Sequence, residues 1–209
     1  MPILTKILEE RESKYNGHLV VFKSLGFGTY IQASGLTQSG GIVNDIWRET
    51  IKKLKKSKTL KLENVLILGL GGGTVASIIK KNWSKVKITG IDIDPIMIEL
   101  GKKYLELSPD DIEIKVGDAL KELKRMTKNY NLVIVDLYNG DKFPEQFENE
   151  EFLKIVKSHL TDGGMVVFNR LYFGDKRPQT VKFGNKLKDF FPRVEWFYPE
   201  ANLMFLCSV

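Results

Sequence analysis

Cysteine is almost missing from this chain. Cys207 is the only one among 209 residues, so no intramolecular disulfide can form. Histidine is nearly as scarce: His18 and His159 lie far apart, without cysteine or carboxylate partners at ligand spacing, and no metal site is expected. No apolar run approaches the ~20 residues of a membrane-spanning helix, so no membrane association is expected. The opening stretch MPILTKILEERESKY mixes charges into its apolar residues and lacks the apolar core of a secretory leader. With the single cysteine, this gives the expectation of a cytoplasmic protein. Internal repeats, low-complexity tracts and a Pro/Gly/Ser linker are also wanting.

What is present points to a packed core. A hydrophobic content of 43% with 28% charged residues leaves no reason to expect disorder. The net charge of +6 raises the question of nucleic acid, and the densest basic stretch is IKKLKKSKTLK, from Lys52 to Lys61. No aromatic stacking platform accompanies those lysines, and cations are favoured at a helix C-terminus anyway. Nucleic acid is therefore not expected as a partner.

From residue 64 onward, strand-like runs alternate with helical patterns. NVLILG, KVKITGID, IEIKVGD, NLVIVDL and MVVFNRL are short and rich in Val and Ile. Between them GGTVASIIKKN, PIMIELGKKYL, ALKELKRMTK and NEEFLKIVKSHL space their apolar residues for helices. Such alternation predicts a parallel sheet covered on both faces. After a helical KFGNKLKDFF, the runs RVEWFYP and NLMFLCSV are joined too tightly to be anything but antiparallel. The expected fold is α/β, a doubly wound, mostly parallel seven-stranded sheet of the class I methyltransferase or Rossmann-like kind. Residues 61–209 would form this domain. Residues 1–60 would form an appendage: a β-hairpin from HLVVFKS and GTYIQAS, then an amphipathic helix over GIVNDIWRETIKKLKKS.

LILGLGGGTV, residues 66–75, ends a strand in glycine and opens a helix. Such a loop brings bare backbone against a ligand, and free N–H groups with the helix dipole favour a negative group there. A tight turn alone would also explain the glycines. Asp92, a little over twenty positions past Gly69, stands where these folds put a carboxylate on ribose hydroxyls. Asp94, just before Pro95, reads as a helix cap. The third glycine of a dinucleotide fingerprint would fall at Thr74, and Asp118 in VGDAL could accept from an adenine amino group. S-adenosylmethionine is thus favoured over NAD. Asp136 closes the fourth apolar run, at the sheet edge where open α/β folds bind ligands; it either caps the loop or works in the cleft.

The chain resembles the spermidine synthases and their spermidine synthase-like relatives over nearly its whole length. VLILGLGGG resembles their glycine loop, GIDIDP their ribose-binding acidic motif, VGDAL their adenine-binding motif and VIVDLYNGD their catalytic-aspartate loop. SKYNGHLVVF and GLTQSGGIVNDIWRE resemble their N-terminal motifs, which puts Asn16, Gln38 and Trp47 at cofactor-contacting positions. The resemblance implies Asp136 as the catalytic residue. It implies cofactor binding by Asn16, Gln38, Trp47, Gly69, Gly71, Gly72, Gly73, Asp92, Ile93, Asp118, Ala119 and Asp136, without metal.

Departures from the family pattern shape the expected chemistry. Gly72 stands where aminopropyltransferases carry an aspartate for the ammonium of decarboxylated S-adenosylmethionine. Asn139 and Gly140 replace an aspartate and a proline of the catalytic loop, and the segment before the last strand is cut to YPEAN. An undecarboxylated donor keeps a carboxylate that a loop aspartate would repel and bare N–H groups would welcome. The expectation is therefore a methyltransferase using S-adenosylmethionine on an amine-type or other small acceptor. The alternative is a polyamine aminopropyltransferase using the decarboxylated donor. A third reading is a catalytically idle nucleoside- or RNA-binding module. The hairpin is expected to cover the cleft or to form a homodimer contact.

Overall fold

The computed structural model of the protein describes residues 4–57 and 60–209. Residues 1–3 of the opening stretch and residues 58–59 of the basic run lie outside the described residues.

Four antiparallel strands come first: β1 (Thr5–Ser13), β2 (Gly17–Ser24), β3 (Gly28–Ala33) and β4 (Leu36–Gly40). The expected hairpin is β2–β3, with Leu19 opposite Ala33 and Val21 opposite Ile31. A strand added on each side turns it into a sheet. Helix α1 (Ile42–Leu54) follows, then the alternating part: β5 (Asn64–Leu68), α2 (Thr74–Asn82), β6 (Lys87–Asp92), α3 (Pro95–Tyr104), β7 (Ile112–Val116), α4 (Ala119–Arg125) and β8 (Tyr130–Val135). A 3-10 turn (Glu145–Phe147), α5 (Glu150–Ser158), β9 (Leu160–Leu171), α6 (Lys176–Leu187), β10 (Arg193–Phe197) and β11 (Asn202–Ser208) complete the chain.

The seven strands from β5 onward form one sheet in the order β10-β11-β9-β8-β5-β6-β7. Pairings among β5 to β9 are parallel, and β11 is antiparallel to both β9 and β10. This is the doubly wound fold read from the sequence. Strand alternation splits the core in two. Val65 and Ile67 face α1 and α2, whereas Leu66 and Leu68 face the other side, with Phe152 of α5 and Phe183 of α6. From β5 the chain moves outward to β6 and β7, then returns to the opposite side of β5 with β8. That reversal opens a crevice beyond the carboxyl ends of β5 and β8, the place where such sheets hold ligands.

The four-stranded sheet docks on α3. Leu19, Val21, Ile31 and Ala33 form a buried cluster with Met97 and Leu100. Burial of each large apolar side chain contributes about 1.5–3 kcal/mol as an upper estimate, more than a single hydrogen bond at about 1 kcal/mol. Apolar packing, rather than the polar contacts at its rim, holds this sheet in place. Among the described residues no helix is long and apolar enough to cross a membrane.

Candidate active site

Two cavities meet at the end of β8. The first, of about 450 Å³, is lined by Asn16, Gln38, Gly69, Gly71, Asp92, Ile93, Asp118, Ala119 and Asp136 among others. The second, of about 330 Å³, is bordered by Trp47, Asp136, Asn169, Glu200 and Asn202 within a largely apolar wall. Asp136 borders both. Of the twelve residues expected at the cofactor, Trp47 faces the second cavity, and Gly72 and Gly73 line neither.

Each acidic group is set by its element's end. Asp92 closes β6. Its carboxylate accepts from the N–H of Gly71 at 2.6 Å and of Asp94 at 2.9 Å, which leaves each oxygen a lone pair for a further donor. Burial pushes its carboxyl up to about 6, against the pull of those N–H groups. Asp94 caps α3 through the N–H of Ile96 at 2.9 Å and also accepts from Asn16 Nδ2 at 2.6 Å. Asn16 is thereby fixed over the cleft from the tight turn before β2. Asp118 caps α4, accepting from Lys121 N–H at 2.9 Å with one oxygen, so its other oxygen is available to the cavity.

Asp136 follows four buried strand residues, and its backbone N–H donates to Leu68 at 2.8 Å. Its Oδ1 accepts from Asn169 Nδ2 at 2.7 Å and its Oδ2 from Trp47 Nε1 at 3.2 Å. Burial pushes its carboxyl up to about 6; these two donors oppose the rise and the charge of Asp92 adds to it. Gly69 is required beside it. At φ 86°, a Cβ there would lie 2.0 Å from the Asp136 carbonyl oxygen. Tyr138 clamps the following loop to β9: its hydroxyl accepts from Leu171 N–H at 2.7 Å and donates to the Asn169 carbonyl at 3.2 Å.

Asn169, Tyr138 and Asn202 were not among the residues read from the sequence. The one signal for Asn169 is a polar amide inside the apolar run MVVFNRL. Among the described residues no group of three or more His, Cys, Asp and Glu is placed to hold a metal ion.

The Spermine/spermidine synthase domain model matches residues 44–199. The chain belongs to that family. It is 34% identical over 112 residues to the "Probable polyamine aminopropyl transferase" of Bifidobacterium longum, an alignment covering 54% of this chain and 25% of that protein. It is 26% identical over 216 residues to the "Polyamine aminopropyltransferase" of Clostridioides difficile, covering 97% of this chain and 76% of the other. A solved spermidine synthase in complex with the transition state analogue AdoDATO matches with a TM-score of 0.78 over 97% of this chain and 73% of its own. Its 16% identity makes that likeness one of fold.

These relatives correct the expectation of a methyltransferase using S-adenosylmethionine, since they bear the name of aminopropyl transfer. Two features of the glycine loop account for the difference. First, its N–H groups are not bare. Gly69 and Leu70 donate to the Ile91 carbonyl, Gly71 to Asp92, Gly72 to Ser39 Oγ and Gly73 to the Leu70 carbonyl. A donor carboxylate would find none of them free. Second, residue 72 does not look into the cleft. A Cβ on Gly72 would meet Leu105 at 2.8 Å, Ser39 at 3.0 Å and Ile31 at 3.1 Å, and Gly101 of α3 passes so close that its own Cβ would lie 2.6 Å from Gly72 Cα. Packing accounts for this glycine. The cleft itself carries four carboxylates (Asp92, Asp118, Asp136 and Glu145) against Lys14 alone, within a chain of net charge +6. An acidic cleft favours a cationic donor over one that adds a carboxylate.

Proposed function

We propose that the protein is a polyamine aminopropyltransferase, which moves an aminopropyl group from decarboxylated S-adenosylmethionine to an amine acceptor. The observation that carries this reading is Asp136, a buried carboxylate in the wall common to two cavities. The first cavity has the size of a nucleoside site. Asp92 would take the ribose hydroxyls, Asp118 the adenine amino group, and Asn16, Gln38, Ile93 and Ala119 the remaining wall. The second cavity would take the acceptor, with its apolar stem along Trp47, Ile46 and Leu171. In this reading residues 61–209 carry the donor site and residues 1–60 close over it.

The donor supplies a methylene carbon activated by a sulfonium. The acceptor nitrogen forms a C–N bond to it as the C–S bond breaks, and that electron pair leaves on sulfur. The chain's part is position and proton. An ionised Asp136 pairs with the acceptor's ammonium and takes its proton, freeing the lone pair toward the carbon. A carboxyl raised toward neutrality is a better match for an ammonium than an ordinary aspartate. Holding both reactants in line supplies much of the remaining acceleration.

The test is incubation with decarboxylated S-adenosylmethionine and 1,4-diaminobutane, following methylthioadenosine and the lengthened amine by chromatography. Both should appear together with wild type and fall at least about a hundredfold in Asp136→Asn, the scale of a lost proton acceptor. No methylthioadenosine with any of a panel of di- and polyamines would overturn the proposal.

A further inference from the structure

Two asparagines from different strands stand behind Asp136. Asn169 on β9 and Asn202 at the start of β11 are each 6% exposed, and buried amides require partners at both ends. Asn202 Nδ2 donates to Asn169 Oδ1 at 2.7 Å, and Asn169 Nδ2 donates to Asp136 Oδ1 at 2.7 Å. In the antiparallel register Asn202 lies opposite Leu171 and Asn169 opposite Met204, so the two amides are diagonal neighbours on one face. An amide has nearly the same shape either way round, and only its partners decide which end meets the carboxylate. With Asn202 donating, Asn169 must turn its oxygen to Asn202 and its N–H to Asp136. The reverse order would set a carbonyl oxygen against a carboxylate, an arrangement that suits only protonated Asp136.

We propose that Asn202 is a positioning residue for Asp136, acting through Asn169 as a two-amide relay that fixes the direction of the carboxylate and favours its ionised form. The role in transfer rests on the reading of Asp136 as proton acceptor; the relay itself does not. Other groups set the background. Asp92 at the end of β6 adds negative charge near Asp136, and Tyr138 in its own loop is close enough to interact with it. Arg170 on β9 is paired with Glu148 at 2.7 Å. Lys14, Asp118 and Glu145 border the first cavity and Glu200 the second. Trp47 holds the other carboxylate oxygen. All of these groups are common to wild type and the Asn202 variants.

The experiment compares wild type with Asn202→Leu, which keeps volume but lacks the donor, and Asn202→Asp, which can only accept from Asn169 and so reverses the relay. The Asp136 carboxyl is titrated by carbon-13 NMR in the free protein, assigned with Asp136→Asn, and the pH profile of kcat/KM is taken alongside. The titration midpoint should rise by about half to one unit in Asn202→Leu, as expected when a hydrogen bond to the charged form weakens, and further in Asn202→Asp, where like-charge repulsion adds to the reversed amide. The acid limb of kcat/KM should move by the same amount, with kcat reduced more than KM is raised. Asn202→Ala serves if the larger substitutions do not fold, and Asn202→Ser, which restores a donor, should return part of the shift. A folded variant whose Asp136 titrates as in wild type overturns the relay. A wild type that transfers no aminopropyl group overturns the functional reading instead, and the NMR titration still decides the relay.

Discussion

The indole N–H of Trp47 meets the carboxylate of Asp136 across 3.2 Å, joining helix α1 to the end of β8. Trp47 is fully buried, so this donor is shielded from competing water. Trp47→Phe removes the N–H and keeps most of the apolar contact. A hydrogen bond to a charged group is worth about 1.5 kcal/mol or more, and 1.36 kcal/mol corresponds to one pKa unit. The acid limb of kcat/KM should therefore rise by about one unit. A limb that stays in place would show that the indole does not stabilise the ionised form.

Asp136 and Asp92, each pushed to about 6, should leave a mark on stability as well. A carboxyl with a folded pKa above its unfolded value binds its proton more tightly in the native state. Unfolding free energy then falls as pH rises from about 4 through about 6, and levels off above. Each group's share is on the order of 2–3 kcal/mol. Denaturant unfolding of wild type and Asp136→Asn between pH 4.5 and 7.5 measures it. The variant should be the less pH-dependent of the two, and parallel curves would refute the shift at Asp136.

Gly69→Ala should be among the most harmful single changes in the protein. The new methyl would meet the Asp136 carbonyl oxygen in a backbone conformation that disfavours side chains. A loss of about 3 kcal/mol or more is expected, the upper end for point substitutions. Urea unfolding reads it directly. A loss below 1 kcal/mol would mean that the β5 and β8 loops part easily.

Glu200 adopts φ 51° in the turn between β10 and β11, where glycine is the easier residue, and its side chain borders the second cavity. A glutamate there sets a carboxylate beside that cavity. Glu200→Gly should keep stability or raise it by up to about 1 kcal/mol. The same change should raise KM for 1,4-diaminobutane about two- to fivefold, the worth of an exposed ion pair, and leave a monoamine of equal length unaffected. Equal effects on both amines would remove Glu200 from acceptor choice.

Periodicity made the doubly wound sheet and its closing hairpin legible, because the central runs of β5 and β8 are buried on both faces and the runs alternate with helical spacing. The same method saw two of the four N-terminal strands. β1 spells TKILEERES, with charges on both faces, as suits an edge strand guarded against further pairing. β4 spells LTQSG, too short and too polar to show a period. Helix α6 begins at Lys176, ahead of the expected KFGNKLKDFF, because Pro178 is tolerated in a first turn. In the site, Asp92 and Asp136 could be read from strand ends. The pairing of Asn169 with Asn202 could not: it depends on the register of β9 against β11. Gly72 misled for a related reason, since the direction in which a missing side chain would have pointed is not written in the sequence.

That direction also constrains how the protein can change. A side chain at position 72 would press on Ser39 and on the tips of Leu105 and Ile31, while Gly101 packs against the backbone from behind. A carboxylate placed at this position would therefore start among packed side chains rather than in the cleft. The acidic groups that do line the cleft stand instead at the ends of β6 and β8, at the cap of α4 and in the turn at Glu145.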